Sequence, residues 1–202
     1  LLTLGRCAFR YCESLQQGLT FPRSVLLIGM QCFEGCISIT SVEFEHLVTD
    51  PLELREGAFY FCCELRSVIL PISLRSIPHA CFRSCVLLIH IPIPIPVRVI
   101  GFSAFTGCSA LRHIDLSENI TAVHENAYCE CSSLTTVTIK SSTVQFGRNV
   151  FILCPSLSTI KVYPWVLPKL FEAMNSPYPD GSNFRYKFLR NSQYQLAQFR
   201  RR

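Results

Sequence analysis

The residues most capable of chemistry in this 202-residue chain are its twelve cysteines. Thiolates bind zinc when four ligands converge from paired short spacings, and they act as nucleophiles when a base lies beside them in a cleft. The shortest spacings, Cys62-Cys63 and Cys129-x-Cys131, do not form a zinc ligand set. We therefore expect no metal ion and no cofactor.

Residue patterns of enzymes are not found in the sequence either. His90 and His113 could serve as the base of a Cys–His pair, but both fall in strand-like segments away from the cysteines. The chain carries no glycine-rich phosphate loop, serine nucleophile elbow or paired carboxylates. The sequence therefore predicts a non-enzymatic protein with no catalytic residues and no small-molecule substrate.

The spacing of the cysteines follows an internal repeat instead. An aromatic residue stands three positions before a cysteine seven times, at steps of 23 to 26 residues. The pairs are Phe9/Cys12, Phe33/Cys36, Phe59/Cys62, Phe82/Cys85, Phe105/Cys108, Tyr128/Cys131 and Phe151/Cys154. Apolar residues recur at fixed positions after each cysteine. Seven copies in phase indicate a repeat protein.

Each repeat combines the periodicities of two kinds of secondary structure. The part around the aromatic residue and the cysteine has the three-to-four spacing of a helical turn, whereas the Leu-x-x-Ile-x-Ile ending alternates like a half-buried strand. Such a short unit cannot bury its apolar face alone, so copies must stack. The sequence predicts an α/β solenoid with a parallel β-sheet on one side and short helical or 3-10 turns on the other.

The repeat pattern also predicts the organisation of the chain. Residues 1–162 form an array of about seven units, with an incomplete N-terminal end because Leu1 falls within a unit. Residues 163–202 form a C-terminal cap helix and a basic tail. Extra residues around Gly18 and around Val48 predict bulged loops. Pro92 stands where a parallel strand would donate a ladder hydrogen bond, so we expect a local break there.

Charge and hydropathy limit the class of partner. Residues 1–160 carry eleven Lys or Arg against twelve acidic residues, whereas residues 161–202 carry eight against two. A nucleic-acid-binding array would need a basic face, so we expect no nucleic-acid partner. No apolar run approaches the roughly 20 residues that span a bilayer, so we expect no membrane contact within this chain.

Nine of the twelve cysteines fall at core positions of the repeat. Because free cysteine behaves as a small apolar residue, we expect a column of reduced thiols. Parallel strands lie about 4.8 Å apart, so a disulfide between neighbouring units is also geometrically possible. Cys7, Cys63 and Cys129 fall outside the pattern and are the candidates for exposed, reactive or bridging thiols.

The unit from Ile100 to Leu111, IGFSAFTGCSAL, resembles the BspA-like class of leucine-rich repeats. The resemblance covers about residues 1 to 162. Members in bacteria and protists are mostly surface-exposed or secreted adhesion and recognition proteins. The resemblance therefore implies a module that binds another protein or a cell-surface ligand. An intracellular scaffold in the cytoplasm, and an accessory domain of a larger receptor or enzyme, remain as alternatives.

Exposed strand positions of successive repeats align into one continuous surface in a solenoid. This face is the predicted binding surface, although small polar residues also suit strands that merely face solvent. Its residues are Ser41, Glu43, Ser67, His90, His113, Asp115, Thr136, Thr138 and Thr159. A glycosylation sequon, Asn119-Ile120-Thr121, matters only where the chain enters a secretory pathway.

Overall fold

The structure, a computed structural model, describes residues 2–45 and 52–173, and the backbone of 185–188. The chain winds into seven stacked coils, which we number by their aromatic residues from Phe9 to Phe151. Most coils contribute one strand before the aromatic residue, to the back row, and one after it, to the front row. The back row comprises Leu2–Leu4 (β1), Val25–Ile28 (β3), Glu53–Leu54 (β5), Ser76–Ile77 (β7), Val99–Ile100 (β8), Ala122–Val123 (β10) and Gln145–Phe146 (β12). The front row comprises Gln17–Phe21 (β2), Ile39–Phe44 (β4), Ser67–Ile69 (β6), His113–Leu116 (β9), Thr136–Ile139 (β11), Thr159–Val162 (β13) and Arg185–Phe188 (β14).

All strand pairs are parallel, and their register places equivalent residues of successive coils side by side. Val42 is the partner of Val68, and Val137 is the partner of Ile160, and all four are buried. Around Gly18 and Leu19, where a bulged loop was predicted, the chain forms β2 instead, and the irregularity is a register shift between Gln17 and Gly18. The bulged loop predicted near Val48 lies at residues 46–51, outside the described residues. The parallel-stranded solenoid is thus confirmed, but with two rows of strands instead of one.

The third side of each coil is a turn in which two residues adopt left-handed backbone angles. In every coil these residues stand two positions before and two positions after the aromatic residue, as Gln31 (φ 55°) and Gly35 (φ 71°) flank Phe33. Alternate peptide N–H groups then donate along the stack: the N–H of Phe33 donates to the carbonyl of Ala58 at 2.8 Å. An α-helix would direct these donors to its own carbonyls.

The predicted α/β class, with a helical or 3-10 side, is therefore not supported. Among the described residues the single helix is Leu167–Ala173 (α1), which follows the last coil. It buries Leu170 and Ala173, and the carbonyl of Ala173 accepts the N–H of Asn149 at 2.6 Å. In the other coils the N–H at this position, two residues before the aromatic residue, donates to a carbonyl of the next coil. The end of α1 therefore takes the place of a further turn. No described helix is long and apolar enough to cross a membrane.

A column of stacked aromatic rings runs through all seven coils and lies in the core from coil 2 onward. Successive ring centroids lie 5.1 to 5.7 Å apart, and the ring planes differ by no more than 13°. Such pairs stabilise a fold by about 0.5–1.5 kcal/mol each beyond the burial of their area. Six of the rings are phenylalanine, and the seventh is Tyr128, whose buried hydroxyl has no hydrogen-bond partner among the described residues.

Both rows of strands are interrupted beside coil 4, each time at a proline. In the front row the predicted break at Pro92 is confirmed, because coil 4 contributes only an isolated bridge between Ser67 and His90. In the back row β5 and β7 are not paired. The residue after each back strand normally donates its N–H to the preceding coil, as Gly101 does to Ile77 at 2.8 Å. Pro78 occupies this position in coil 4 and has no N–H.

Replacing Gly101 by alanine should destabilise the array. A Cβ atom at this position would lie 2.6 Å from the backbone nitrogen of His79, which the stack holds in place. We expect the free energy of unfolding to fall by about 1–3 kcal/mol in urea titrations, as in other overpacked cores. Gly5→Ala is the matched control, because a Cβ there meets nothing within 4 Å. Equal effects of the two substitutions would contradict this packing.

Replacing Tyr128 by phenylalanine should stabilise the protein. The substitution keeps the stacked ring and removes a buried hydroxyl that lacks a partner. Leaving such a group unsatisfied costs about 1–3 kcal/mol, so we expect the free energy of unfolding to rise by about 1 kcal/mol. Tyr60→Phe, at a half-buried tyrosine, is the control and should have no measurable effect. A less stable Tyr128→Phe variant would show that the hydroxyl is accommodated.

Candidate binding surface

The front row brings the predicted surface residues into two groups. In the first group Ser41, Ser67 and His90 are successive partners across coils 2 to 4. In the second group His113, Thr136 and Thr159 are partners in coils 5 to 7. The next outward positions hold Glu43 beside Ile69, and Asp115 beside Thr138 and then Lys161. The break at coil 4 separates the two groups.

The exposure of these residues differs from the prediction at four positions. Five of them are exposed, namely Glu43, Ser67, His90, His113 and Asp115. Ser41, Thr136 and Thr159 are half-buried. Thr138, predicted to be exposed, is only 8% exposed. Its short side chain stands between Asp115 and Lys161 on the flanking strands, and longer neighbours on both sides shield it from solvent.

Exposed isoleucines make up a part of this surface that the predicted set omitted. Ile69 and Ile89 are 40% and 46% exposed, and Ile72 and Ile95, just after the front-row positions of coils 3 and 4, are 64% and 62% exposed. Pro92 is exposed beside them. The sequence indicated this apolar part of the surface at one position only, Ile69, which occupies an outward strand position where most other coils carry a polar residue.

The charged residues of coil 5 are available for intermolecular contacts. Arg112 immediately precedes β9, and Asp115 lies within it; both are exposed. Neither takes part in an ion pair with any part of the chain that the structure describes. Arg66, the equivalent of Arg112 in coil 3, pairs with its neighbour Glu64 at 3.1 Å. The surface thus combines unpaired opposite charges with an apolar centre.

The repeat cysteines lie inside the coils as hydrogen-bond donors. From coil 2 onward each Sγ donates to the carbonyl oxygen of the preceding coil's aromatic residue, over distances of 2.9 to 3.3 Å. In coil 4, for example, Cys85 donates to the carbonyl of Phe59 at 3.2 Å. All twelve cysteines are free thiols. The ladder is a structural element, with its sulfur atoms engaged by the backbone.

Burial raises the pKa of most of the buried thiols and so holds them in their neutral form. Cys154 is the exception, because its hydrogen bond with Cys131 lowers its pKa. Desolvation raises the pKa of Cys32 and Cys36 to about 11 and that of Cys108 to about 12. Of the cysteines predicted to be exposed, Cys129 is buried, and desolvation raises its pKa to about 11 as well. A thiol must lose its proton to act as a nucleophile or a metal ligand. No described group of three or more His, Cys, Asp or Glu could hold a metal ion.

Exposure of the remaining cysteines follows their place in the stack. Cys7 and Cys63, the other two predicted exposed thiols, are half-buried. Cys12 occupies a ladder position but is exposed, because coil 1 has no described coil before it to supply a carbonyl.

A groove of about 790 Å³ lies on the back row, where Pro78 interrupts the pairing between β5 and β7. Leucine side chains, including Leu27, Leu54 and Leu74, line it together with Arg75. The sequence did not predict this groove, because the effect of Pro78 depends on knowing which carbonyl its missing N–H would have met.

Comparison with known proteins identifies relatives by sequence and by structure. The family model for the BspA type leucine rich repeat region matches residues 1–53 and 52–167, in 6 copies. The crystal structure of a leucine rich cell surface protein from Faecalibacterium prausnitzii A2-165 is similar, with a TM-score of 0.71 and 27% sequence identity. The similarity covers 79% of this chain and 42% of that one, so the chain spans less than half of that protein.

A second solved structure has the same fold. The T. pallidum leucine rich repeat protein gives a TM-score of 0.53 at 24% identity, covering 88% of this chain and 78% of that chain. At this identity the likeness concerns the fold alone. No curated protein matches the chain.

The buried thiols predict a loss of stability at alkaline pH. Thiols of the unfolded chain ionise near pH 9.0, whereas Cys32 and Cys36 keep their protons to about pH 11 in the folded protein. Their contribution to stability is therefore fully present below pH 9 and is lost as the pH rises towards 11. Urea midpoints measured between pH 7 and pH 11 should fall across this window.

A double variant, Cys32→Ala/Cys81→Ala, tests the cause of this dependence. Burial raises the pKa of Cys81 as well as that of Cys32. Alanine occupies the same position in four other coils, so the substitution suits the packing. We expect the decline to be shallower by up to about 1.4 kcal/mol per pH unit for each thiol removed. Cys12→Ala, at an exposed thiol, should leave the dependence unchanged. Parallel declines in the parent and the double variant would assign the loss to other groups.

Proposed function

Because the chain belongs to the BspA-type leucine-rich repeat family, we propose that it is a non-catalytic recognition module that binds another protein through its front row. The observation that carries the proposal is the exposed surface around coils 3 to 5. It joins isoleucine side chains to unpaired charges such as Arg112 and Asp115. Apolar side chains bordered by polar groups are typical of protein-binding surfaces.

The proposed location is the cell surface. The similar protein from F. prausnitzii is described as a leucine rich cell surface protein, and it is 27% identical to this chain. Because the chain spans less than half of that protein, the activity of the whole relative stays a proposal for this one. A surface protein of this kind would present its front row to proteins of another cell.

An intracellular scaffold is a second candidate, favoured by the twelve free thiols. Thiols persist in reducing compartments, whereas secreted proteins commonly form disulfides. Alkylation of the natural protein under denaturing conditions, with modified cysteines counted by mass, separates the two. Reaction of every thiol without reductant supports the scaffold. Thiols that react only after reduction support the surface module.

Introducing negative charge into the front row should abolish recognition. We expect a Ser67→Glu/His113→Glu variant to lose at least nine-tenths of its partner capture, because both side chains are exposed in the middle of the proposed surface. Capture is measured by mass spectrometry of surface-labelled proteins retained on the immobilised chain. The urea midpoint should remain within error of the parent, since neither residue is buried.

The matched control places the same charges on the back row. Ser76→Glu/Gln145→Glu changes two exposed residues of β7 and β12 and should leave capture intact. Equal losses in the two variants would indicate a non-specific charge effect. Undiminished capture by the front-row variant would remove this face as the binding surface.

A further inference from the structure

The last two thiols of the ladder, Cys131 and Cys154, share a hydrogen bond between their side chains. Cys131 also lies within reach of the carbonyl of Phe105 at 3.3 Å, and Cys154 donates to the carbonyl of Tyr128 at 3.2 Å. The ladder thiols of coils 2 to 5 donate to backbone carbonyls and share no such bond with one another. Coils 6 and 7 thus bring two sulfur atoms into direct contact.

The backbone on either side of these cysteines holds the two coils at a spacing that a disulfide can bridge. The N–H of Tyr128 donates to the carbonyl of Val150 at 3.0 Å. The N–H of Glu130 donates to the carbonyl of Ile152 at 2.9 Å. Bonded parallel segments lie about 4.8 Å apart, and disulfides join Cα atoms that are about 4.4–6.8 Å apart. The two sulfur atoms can therefore be joined without separating the coils.

Solvent reaches this pair from the C-terminal end of the ladder. The ladder thiols of coils 2 to 6 are fully buried, whereas Cys154 is 8% exposed. Coil 7 is the last turn of the array in the part of the chain that the structure describes, so no further turn covers this sulfur there. Its neighbours Ile152 and Leu153 are exposed. Cys154 is the member of the pair that a dissolved oxidant meets first.

The shared hydrogen bond also determines which thiol reacts first. A thiol attacks as its thiolate. The S–H of Cys131 donates to the sulfur of Cys154 and lowers the pKa of Cys154, whereas the same bond and burial raise the pKa of Cys131. Redox-active cysteines combine a lowered pKa and some exposure with a resolving cysteine beside them. Cys154 has the first two properties, and Cys131 is placed to resolve.

We infer that Cys131 and Cys154 are a redox pair, which a low-molecular-weight disulfide such as glutathione disulfide oxidises to an intramolecular disulfide. The Cys154 thiolate attacks one sulfur of the reagent, which forms a mixed disulfide and releases a glutathione thiolate that takes up the proton lost by Cys154. Cys131 then attacks the sulfur of Cys154, and its proton leaves with the second glutathione. Two protein thiols are oxidised, and one glutathione disulfide is reduced to two thiols.

The disulfide is reversible, because forming it removes both thiol donors. The carbonyl of Phe105 keeps the N–H of Cys108 at 3.1 Å, but the buried carbonyl of Tyr128 has no other donor among the described residues. Leaving a buried acceptor unsatisfied opposes the disulfide. The pair therefore cross-links coils 6 and 7 in an oxidising compartment and opens in a reducing one. This inference goes beyond the proposed function and does not depend on the front row.

Treatment of the purified full chain with glutathione disulfide tests the pair. The remaining thiols are alkylated under denaturing conditions, and tryptic peptides are mapped by mass spectrometry without reductant. We expect residues 113–140 to be linked to residues 149–161, and cleavage after Glu130 to place the bond at Cys131 instead of Cys129. Cys12, exposed at the other end of the ladder, should carry a mixed disulfide with glutathione, which shows that the reagent is active.

Cys154→Ala and Cys129→Ala are matched variants, because both cysteines are 8% exposed. Cys154→Ala should lower the yield of the linked peptides to less than about a tenth of the parent's, and Cys129→Ala should leave it within about twofold. Circular dichroism confirms that each variant is folded. The map of the parent needs no substitution and tests the pair by itself.

Three results would overturn the inference. Cys131 and Cys154 could both be recovered as alkylated thiols while Cys12 carries glutathione. Cys154 could stop at the mixed disulfide or be joined to Cys129. An equal yield of a bond between Cys85 and Cys108, which are fully buried and share no hydrogen bond, would show that stacking or unfolding alone directs the oxidation. Partner capture by the front row reads out the proposed function separately.

Discussion

The hydrogen bonds that leave each turn along the stack are the interaction on which the whole array depends. The aromatic residues of coils 1 to 6 each donate their N–H to the next coil, at 2.8 to 3.0 Å. The carbonyl of each of these residues accepts the thiol of the following coil, and in coils 1, 2, 4 and 5 it also accepts the N–H of the cysteine three residues on. Cysteine suits this place because it is small and apolar yet carries one donor. The same bonds set the spacing that stacks the aromatic rings.

Stacking could be predicted from the sequence, but the form of the turn could not. Residues buried at three-residue intervals in these turns repeat like one face of a helix, so periodicity alone does not separate the two. The turn and the helix differ in the sign of φ at two positions, and most residue types do not predict that sign. Gly35 and Asn126 are typical of left-handed positions, whereas Tyr11 and Leu153 are not, although all four adopt positive φ.

The candidate surface was predictable as a row of positions and less so as a set of exposed side chains. The break at Pro92 could be predicted because the strand periodicity placed Pro92 where a residue normally donates a ladder hydrogen bond. The break at Pro78 could not, because Pro78 lies in a segment where no strand was predicted. Thr138 is buried by the residues beside it on the flanking strands, and the strand register that brings them there is known only from the structure. The isoleucines of coils 3 and 4 form one patch only because the two coils stack side by side.

The prolines that interrupt the strands and the isoleucines that face solvent occupy the same coils. Between coils 3 and 4 the back row is unpaired, so the turn bonds, the Phe59–Phe82 stack, the Cys85 thiol and the Ser67–His90 bridge carry the junction. A partner bound across Ile69 and Pro92 would contact both coils at once. Any ligand that binds the folded array alone stabilises it by mass action. Recognition at this face therefore also reinforces the part of the array with the fewest strand hydrogen bonds.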